Sequence, residues 1–291
     1  MKWRIGEVTI TKIVEMEVAG GTRFILPQAS REAVLPYQWM RPHFMTEEGR
    51  LIMSIHALVV ETPARRIIVD TCLGNDKQGR DVPGWNGLHT DFLARLAAAG
   101  YPRESIDTVM CTHLHVDHVG WNTMLVDGQW VPTFPRARYL FGKRDYEYFK
   151  ANPEGELLHW ESFCDSIVPV MEAGMAELVD EDHVAHGEIA DGVWLSPAFG
   201  HSPGCCTINA QADGPAGIFW GDVIHHPVQL IRHDLPFAFD TDGAAACKVR
   251  KDTMERLADT DTLCFPAHFR RSSAGYVKRD GDAFRYEWLA G

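Results

Sequence analysis

Residues 109–121 read Val-Met-Cys-Thr-His-Leu-His-Val-Asp-His-Val-Gly-Trp. Six consecutive residues of this stretch, 113–118, contain four side chains that can bind metal. If the stretch is extended, side chains at alternate positions share one face of the backbone. His113, His115 and Asp117 would then converge, whereas His118 would face another direction. The four groups therefore suit two metal ions, with the first two histidines on one ion and Asp117 and His118 on the other.

The donor chemistry and the position of this cluster both favour a metal site. Imidazole nitrogens with a carboxylate suit zinc, and they also suit manganese or iron. The preceding residues 106–111 are mainly apolar and predict a short buried strand, so the cluster follows a strand end. The alternative is chance clustering, because the chain contains 14 histidines. Clusters of this density are metal or catalytic sites more often than coincidences.

On this stretch the chain resembles the metallo-β-lactamase superfamily of metal-dependent hydrolases, whose hallmark is the pattern His-x-His-x-Asp-His. Four further positions match motifs of that family, and each follows a predicted strand. Asp70 stands in Asp-Thr-Cys-Leu-Gly, and His201 stands in Gly-His-Ser-Pro-Gly. Asp222 follows Trp-Gly, and His268 follows Phe-Pro-Ala. The resemblance covers the chain from about residue 50 to its end.

The resemblance implies an α/β fold, a four-layer αβ/βα sandwich with two metal ions at the edge where the strands end. It also implies which residues bind the ions. The ligands would be His113, His115 and His201 on one ion, Asp117, His118 and His268 on the other, and Asp222 as a bridge between them. Asp70 would orient a ligating imidazole without binding an ion itself, as supporting carboxylates do.

The implied activity is hydrolysis by a hydroxide that bridges two divalent metal ions per chain, zinc first and manganese or iron as alternatives. The substrate would be a small ester, a lactone or a related molecule, and Asp117 would also pass a proton to the leaving group. The lactone-cleaving branch usually has a tyrosine three residues after the bridging aspartate, where this chain has His225. We expect His225 to donate to the substrate oxygen. The alternative is a turn histidine packed beside His226 and Pro227.

Other activities of the same fold are alternatives. A β-lactamase-like, organophosphate-cleaving or dehalogenating hydrolase would use the same two-metal site. A mononuclear iron oxygenase would use one metal, and the complete second ligand set, with His118 and His268, argues against it. Diiron electron-transfer relatives carry a glutamate where this chain has His115. A metal-dependent hydrolase therefore explains the ligand pattern best.

The composition argues against several classes of protein. The 291 residues carry a formal net charge of −12, which would repel the phosphate backbone of a nucleic acid. The first 16 residues lack the apolar core of a secretory signal, and no run of about 18 apolar residues predicts a membrane span. The seven cysteines are scattered and odd in number, which indicates reduced thiols. We therefore expect a cytoplasmic protein that acts on a small molecule, without a nucleic-acid or membrane partner.

The remaining pattern predicts one domain over residues 1–291, because no repeat, low-complexity tract or linker interrupts it. Residues 19–50 lack periodicity and contain several prolines and aromatic residues. A long irregular segment is often functional, so we predict a lid over the active site or a contact in a homodimer. An irregular surface cover is the alternative. Elsewhere the sequence predicts a hairpin over 52–71 and helices over 90–99 and 242–258.

Overall fold

In a computed structural model the chain forms two compact units. The described residues are 1–20, 22–153, 160–186, 192–212 and 214–289. Unit 1 consists of Met1–Met16 and Ile55–His183, and unit 2 consists of Glu17–Ser54 and Val184–Gly291. Each unit combines a β-sheet with short helices, in agreement with the predicted α/β class.

Unit 1 is built mainly on the first part of the strand series: β1 Lys2–Ile5, β2 Val8–Ala19, β3 Ile52–Glu61, β4 Arg66–Val69, β5 Thr108–Met110, β6 Thr123–Val126, β7 Gln129–Pro132, β8 Arg138–Gly142 and β9 Ala176–Val179. Within the described ranges, seven of them form a sheet in the order β1-β2-β3-β4-β5-β8-β9, and β6 pairs with β7 separately. β3 and β4 are antiparallel, which confirms the predicted hairpin. β4, β5 and β8 are parallel, so their carboxyl ends lie at one edge of the sheet.

Unit 2 is built on the later strands: β10 Val184–His186, β11 Val193–Pro197, β12 Cys206–Gln211, β13 Ala216–Phe219, β14 Leu263–Phe265, β15 Gly275–Asp280 and β16 Ala283–Trp288. In the part of the chain that is described, they form one sheet in sequence order. β13 and β14 are parallel, while β12 is antiparallel to both β11 and β13. β11, β13 and β14 therefore run in the same direction, and the loops after their carboxyl ends start at the same edge of this sheet.

The helices are α1 Thr22–Ile25, α2 Arg31–Val34, α3 Phe92–Ala98, α4 Val116–Val119, α5 Lys143–Ala151, α6 Trp160–Ser162, α7 Val168–Glu172, α8 Val228–Ile231 and α9 Gly243–Leu257. Short 3₁₀ turns cover Gln38–Met40, Pro83–Trp85, Arg103–Ser105, Gly120–Asn122 and Gly221–Val223, and a π-helical turn covers Phe163–Ile167. No helix in the described ranges is long and apolar enough to cross a membrane.

The two helices predicted from the sequence are confirmed. α3 buries Phe92 and Leu96, which lie four residues apart and so share one face. It ends shortly before Gly100, whose φ of 101° favours glycine. α9 begins after Asp242, and the Asp242 carboxylate accepts a hydrogen bond from the Ala245 amide at 2.9 Å. This contact caps the first turn of the helix.

Residues 19–50 form short helical turns joined by irregular chain in their described part. Leu26, Met40 and Phe44 are buried in the core of unit 2. The segment is also held by a hydrogen bond at 2.8 Å between His226 Nε2 and the Phe44 carbonyl. It is therefore an integral part of the core of its unit. Its roles as a lid or a dimer contact remain predictions.

Candidate functional site

The His-x-His-x-Asp-His stretch follows β5 and becomes helical at Val116, the first residue of α4. The stretch is therefore not extended beyond His115, so the alternation that would turn His118 away from the other two histidines does not apply. His115 still has extended dihedral angles, and the next turn of helix returns His118 to the other two histidines. The ring centroid of His113 lies 4.4 Å from that of His115 and 4.1 Å from that of His118. Unit 1 thus brings three predicted ligands together.

Asp117, the fourth predicted ligand of this stretch, lies in the first turn of α4. Its Oδ1 is 3.8 Å from Nε2 of His118, and its side chain is 16% exposed. The remaining exposure distinguishes Asp117 from the fully buried histidines beside it. A carboxylate in this position can act as a ligand and can also exchange a proton with its surroundings.

Asp70 orients the stretch from the neighbouring strand end. Its Oδ2 lies 2.8 Å from Nδ1 of His118, and its Oδ1 accepts a hydrogen bond from the Thr112 amide at 2.8 Å. The Thr112 hydroxyl in turn lies 3.1 Å from Nδ1 of His113. Asp70 has a φ of 55°, a conformation that aspartate tolerates better than most residues. A carboxylate that holds Nδ1 directs Nε2 toward a ligand, which is the supporting role that the resemblance implies for Asp70.

A close approach of two backbones fixes the loop after β4 against the metal-binding stretch. The Gly120 amide donates to the Cys72 carbonyl at 2.7 Å, and the Thr71 amide donates to the His118 carbonyl at 2.7 Å. A Cβ atom on Gly120 would lie 1.9 Å from backbone atoms of Leu73. Only glycine fits at this position.

Glu15 supports the same loop and was not identified from the sequence. Its buried carboxylate accepts hydrogen bonds from the Leu73 amide at 2.8 Å and from Trp121 Nε1 at 2.7 Å. Burial raises the pKa of Glu15, although these hydrogen bonds oppose the shift. A single glutamate in the alternating pattern of β2 carries no local signal, because its partners lie far away in the sequence.

In unit 2, three histidine rings converge on the carboxylate of Asp222. Asp222 lies in the turn that directly follows β13, at the edge predicted for ligands. Its Oδ1 is 2.9 Å from Nε2 of His268. Its Oδ2 is 3.2 Å from Nε2 of His201 and 3.1 Å from Nε2 of His225. All four side chains are buried, so the unit brings together the four residues that the sequence predicts for it.

Two of these histidines are oriented through Nδ1. Nδ1 of His201 lies 2.8 Å from Oδ1 of Asp240, and Nδ1 of His268 lies 3.2 Å from the Ser54 carbonyl oxygen. Burial lowers the pKa of His201, but its contacts with Asp222 and Asp240 outweigh burial and raise it to about 9. Protein oxygens that hold Nδ1 while Nε2 faces a carboxylate are typical of metal-binding histidines. The residues of this cluster therefore fit a metal ion.

His225 is held differently from the other histidines. Its ring stacks on Phe237 with centroids 3.8 Å apart and lies parallel to the His268 ring. Nδ1 of His225 has no hydrogen-bond partner among the described residues, although the residue is 1% exposed. Burial lowers the pKa of His225 to about 4, against the attraction of Asp222. The ring is therefore neutral near pH 7 and has one N–H group to donate.

The family model of the metallo-beta-lactamase superfamily matches residues 52–268, about three quarters of the chain. The chain belongs to this superfamily. The predicted family and the predicted fold class are therefore confirmed. No curated protein shows significant sequence similarity to the chain.

Several solved structures resemble the chain over nearly its whole length. A hydrolase named AbOPH is 21% identical, with 100% of this chain and 97% of that chain covered and a TM-score of 0.79. AidC, described as a dizinc quorum-quenching lactonase, is 19% identical with the same coverage and a TM-score of 0.77. A probable metal-dependent hydrolase from Staphylococcus aureus is 17% identical, with 99% of both chains covered and a TM-score of 0.78. At these identities the similarity establishes a common fold.

Proposed function

We propose that the protein is a dinuclear metal-dependent hydrolase that cleaves a small ester, a lactone or a related molecule. The observation that carries this proposal is a pair of side-chain groups that can each hold a metal ion. Unit 1 contributes one group, His113, His115, Asp117 and His118, and unit 2 contributes the other, His201, Asp222 and His268. The family resemblance implies that His113, His115 and His201 bind one ion, that Asp117, His118 and His268 bind the other, and that Asp222 binds both.

The chemistry of the donors supports two divalent ions. Both groups consist of imidazole nitrogens and carboxylate oxygens, a set that suits zinc, with manganese or iron as alternatives. Oxygen atoms hold Nδ1 of His118, His201 and His268, so Nε2 is the ring nitrogen directed toward an ion. When bound, two such ions would acidify a water molecule and polarise the substrate oxygen under attack.

Asp222 would be a ligand to both ions. Its Oδ2 faces His201 and its Oδ1 faces His268, which the family resemblance assigns to different ions. Asp117 would carry a proton to the leaving group, which its partial exposure permits. His225 would donate its N–H group to the substrate oxygen as negative charge develops there.

The proposed substrate class rests on the neighbourhood of His225 and on the charge of the chain. The half-buried ring of Phe237 lies beside the proposed donor and suits a substrate with an apolar part. The net charge of −12 disfavours polyanionic substrates such as nucleic acids. A similar fold belongs to a protein described as a lactonase, which supports the choice of lactones and esters. We further propose that the protein works in the cytoplasm without a nucleic-acid or membrane partner.

Elemental analysis of the purified protein, followed by a substrate screen, tests the proposal. We expect about two metal ions per chain. The screen compares lactones, aryl esters, organophosphates, halogenated aromatics and β-lactams at equal metal content. One tightly bound iron without a second ion would instead favour a mononuclear oxygenase. Hydrolysis of β-lactams alone would overturn the proposed substrate class.

A further inference from the structure

The loop that joins α8 to α9 in unit 2 places an aromatic ring against His225. The Phe237 ring lies face to face with the His225 ring, with an interplanar angle of 6° and centroids 3.8 Å apart. The same ring meets His201 edge-on at 5.3 Å. Phe239 of the same loop contacts Phe24 and Phe237 instead. One aromatic residue of this loop therefore contacts the proposed donor directly.

The imidazole of His225 needs such a contact because its own hydrogen bonds do not fix the plane of the ring. Rotation of a histidine ring about its last side-chain bond is soft, and a second anchor is needed to fix it. His201 and His268 each have that anchor at Nδ1. His225 has its Nε2 3.1 Å from Asp222, but within the described ranges its Nδ1 has no hydrogen-bond partner. The flat face of Phe237 is positioned to hold the ring plane instead.

Phe237 is itself held by hydrogen bonds that connect it to the site. Its backbone amide donates to Oδ2 of Asp240 at 2.8 Å, while Oδ1 of the same carboxylate lies 2.8 Å from Nδ1 of His201. Gln229 makes a second connection. Its Oε1 accepts from the His225 amide at 2.8 Å, and its Nε2 donates to the Leu235 carbonyl at 3.1 Å. The loop and the backbone of His225 are thus held together.

We infer that Phe237 is a positioning residue that fixes the ring plane of His225 and so aims its N–H group at the substrate oxygen. This inference rests on the proposed function, because it assigns His225 the role of donor. A positioning residue that acts in this way affects the chemical step more than substrate binding. Loss of the stacked ring should therefore lower kcat and leave KM nearly unchanged.

The activity test compares three single variants with para-nitrophenyl butyrate and γ-butyrolactone as probes. Phe237→Leu removes the flat ring and should lower kcat about 10- to 100-fold, because small errors in position cost this much. Phe237→Tyr keeps the stacked ring and should retain most of the turnover. Phe239→Leu is the matched control in the same loop and should keep nearly the parental kcat. Equal kcat in Phe237→Leu and the parent would overturn the inference.

A double-mutant cycle separates positioning from general loss of structure. If Phe237 acts through His225, Phe237→Leu should change kcat by less than about twofold in a His225→Ala background. A role in packing alone would give the same loss in both backgrounds. Equal losses of kcat in the two backgrounds would contradict the inference, even if Phe237→Leu alone lowered kcat.

An NMR measurement on the purified protein tests the stacking without any substrate. A phenyl ring 3.8 Å above an imidazole should shift the His225 ring protons upfield, and the signals are assigned by their absence in His225→Ala. Phe237→Leu should remove the upfield shift, whereas Phe239→Leu should keep it. If Phe237→Leu leaves the signals in place, the inference is wrong. If the signals respond as expected but the parent hydrolyses no ester or lactone of the substrate screen, the proposed function fails and the contact stands.

Discussion

Among single residues, Asp222 is the side chain on which the proposed metal site depends most. Its two oxygens face different histidines, so no other residue can replace it without a change in both contacts. Asp222→Ala should therefore lower the metal content below two ions per chain and abolish turnover. Elemental analysis and a turnover assay on the same preparation measure both effects. Asp234→Ala, at an aspartate whose side chain is 60% exposed, is the control. Full metal occupancy with parental turnover would remove Asp222 from the site.

His225 is predicted to act on the substrate rather than on the metal ions. His225→Ala should lower kcat about 10²- to 10³-fold, the usual effect of losing one donor to a developing oxyanion, while the metal content stays intact. His225→Tyr should retain part of the activity because tyrosine offers an O–H donor. His89→Ala, at a histidine whose side chain is 78% exposed, controls for the loss of an imidazole. Parental turnover in His225→Ala would mean that His225 has only a packing role.

At the scale of elements, the contact between α4 and the loop after β4 decides where the metal-binding histidines lie. Gly120→Ala would place a Cβ atom 1.9 Å from the Leu73 backbone, so one of the two segments must move. We expect a loss of about 1–3 kcal/mol in the free energy of unfolding, as in other overpacked sites, together with weaker metal binding. Denaturant unfolding and metal titration measure the two effects. Gly84→Ala, where an added Cβ meets nothing within 4 Å, should change neither.

Elements with a local cause could be predicted from the sequence, and those with a tertiary cause could not. α9 was predicted because Asp242 caps it within the same turn. The helical turn at Val116 was missed, since four residues are too few to show a helical period. That turn is fixed by hydrogen bonds from Thr71 and Gly120, which are distant from one another in the sequence.

The residues of the candidate site also divide into those that the sequence could predict and those that depend on tertiary contacts. Strand ends and family motifs predicted the histidines and Asp222, because each of them follows a buried strand. Glu15 and Phe237 were missed because each acts through contacts with other segments of the chain. A lone buried glutamate and a phenylalanine in a loop have no sequence pattern of their own.

His226 connects two elements of unit 2 in a way that depends on pH. Its Nδ1 accepts from the Val228 amide at 3.1 Å, and its Nε2 lies 2.8 Å from the Phe44 carbonyl oxygen, so the ring must be neutral. Burial lowers the pKa of His226 to about 4, against about 6.5 in an unfolded chain. Its contribution to stability is therefore complete above pH 6.5 and is lost as the pH falls toward 4.

This linkage predicts that acid destabilises the parent more than a variant without the imidazole. Between pH 6.5 and 4, the free energy of unfolding of the parent should fall by up to about 3 kcal/mol more than that of His226→Gln. Denaturant unfolding of both proteins across this pH range measures the difference. Because the other titratable groups are present in both proteins, their contributions cancel. Parallel pH profiles for the two proteins would show that His226 does not carry the effect.

For the whole molecule, the proposed metal ions should add to the stability of the fold. An ion that binds only the folded chain stabilises it by about 2.7 kcal/mol at a free concentration one hundred times its Kd. Removal of metal with a chelator should therefore lower the Tm, and added zinc, manganese or iron should restore it in the order of their affinities. Asp222→Ala should respond much less, because its carboxylate would hold both ions. An unchanged Tm after complete chelation would mean that the ligand sets do not bind metal in the folded protein.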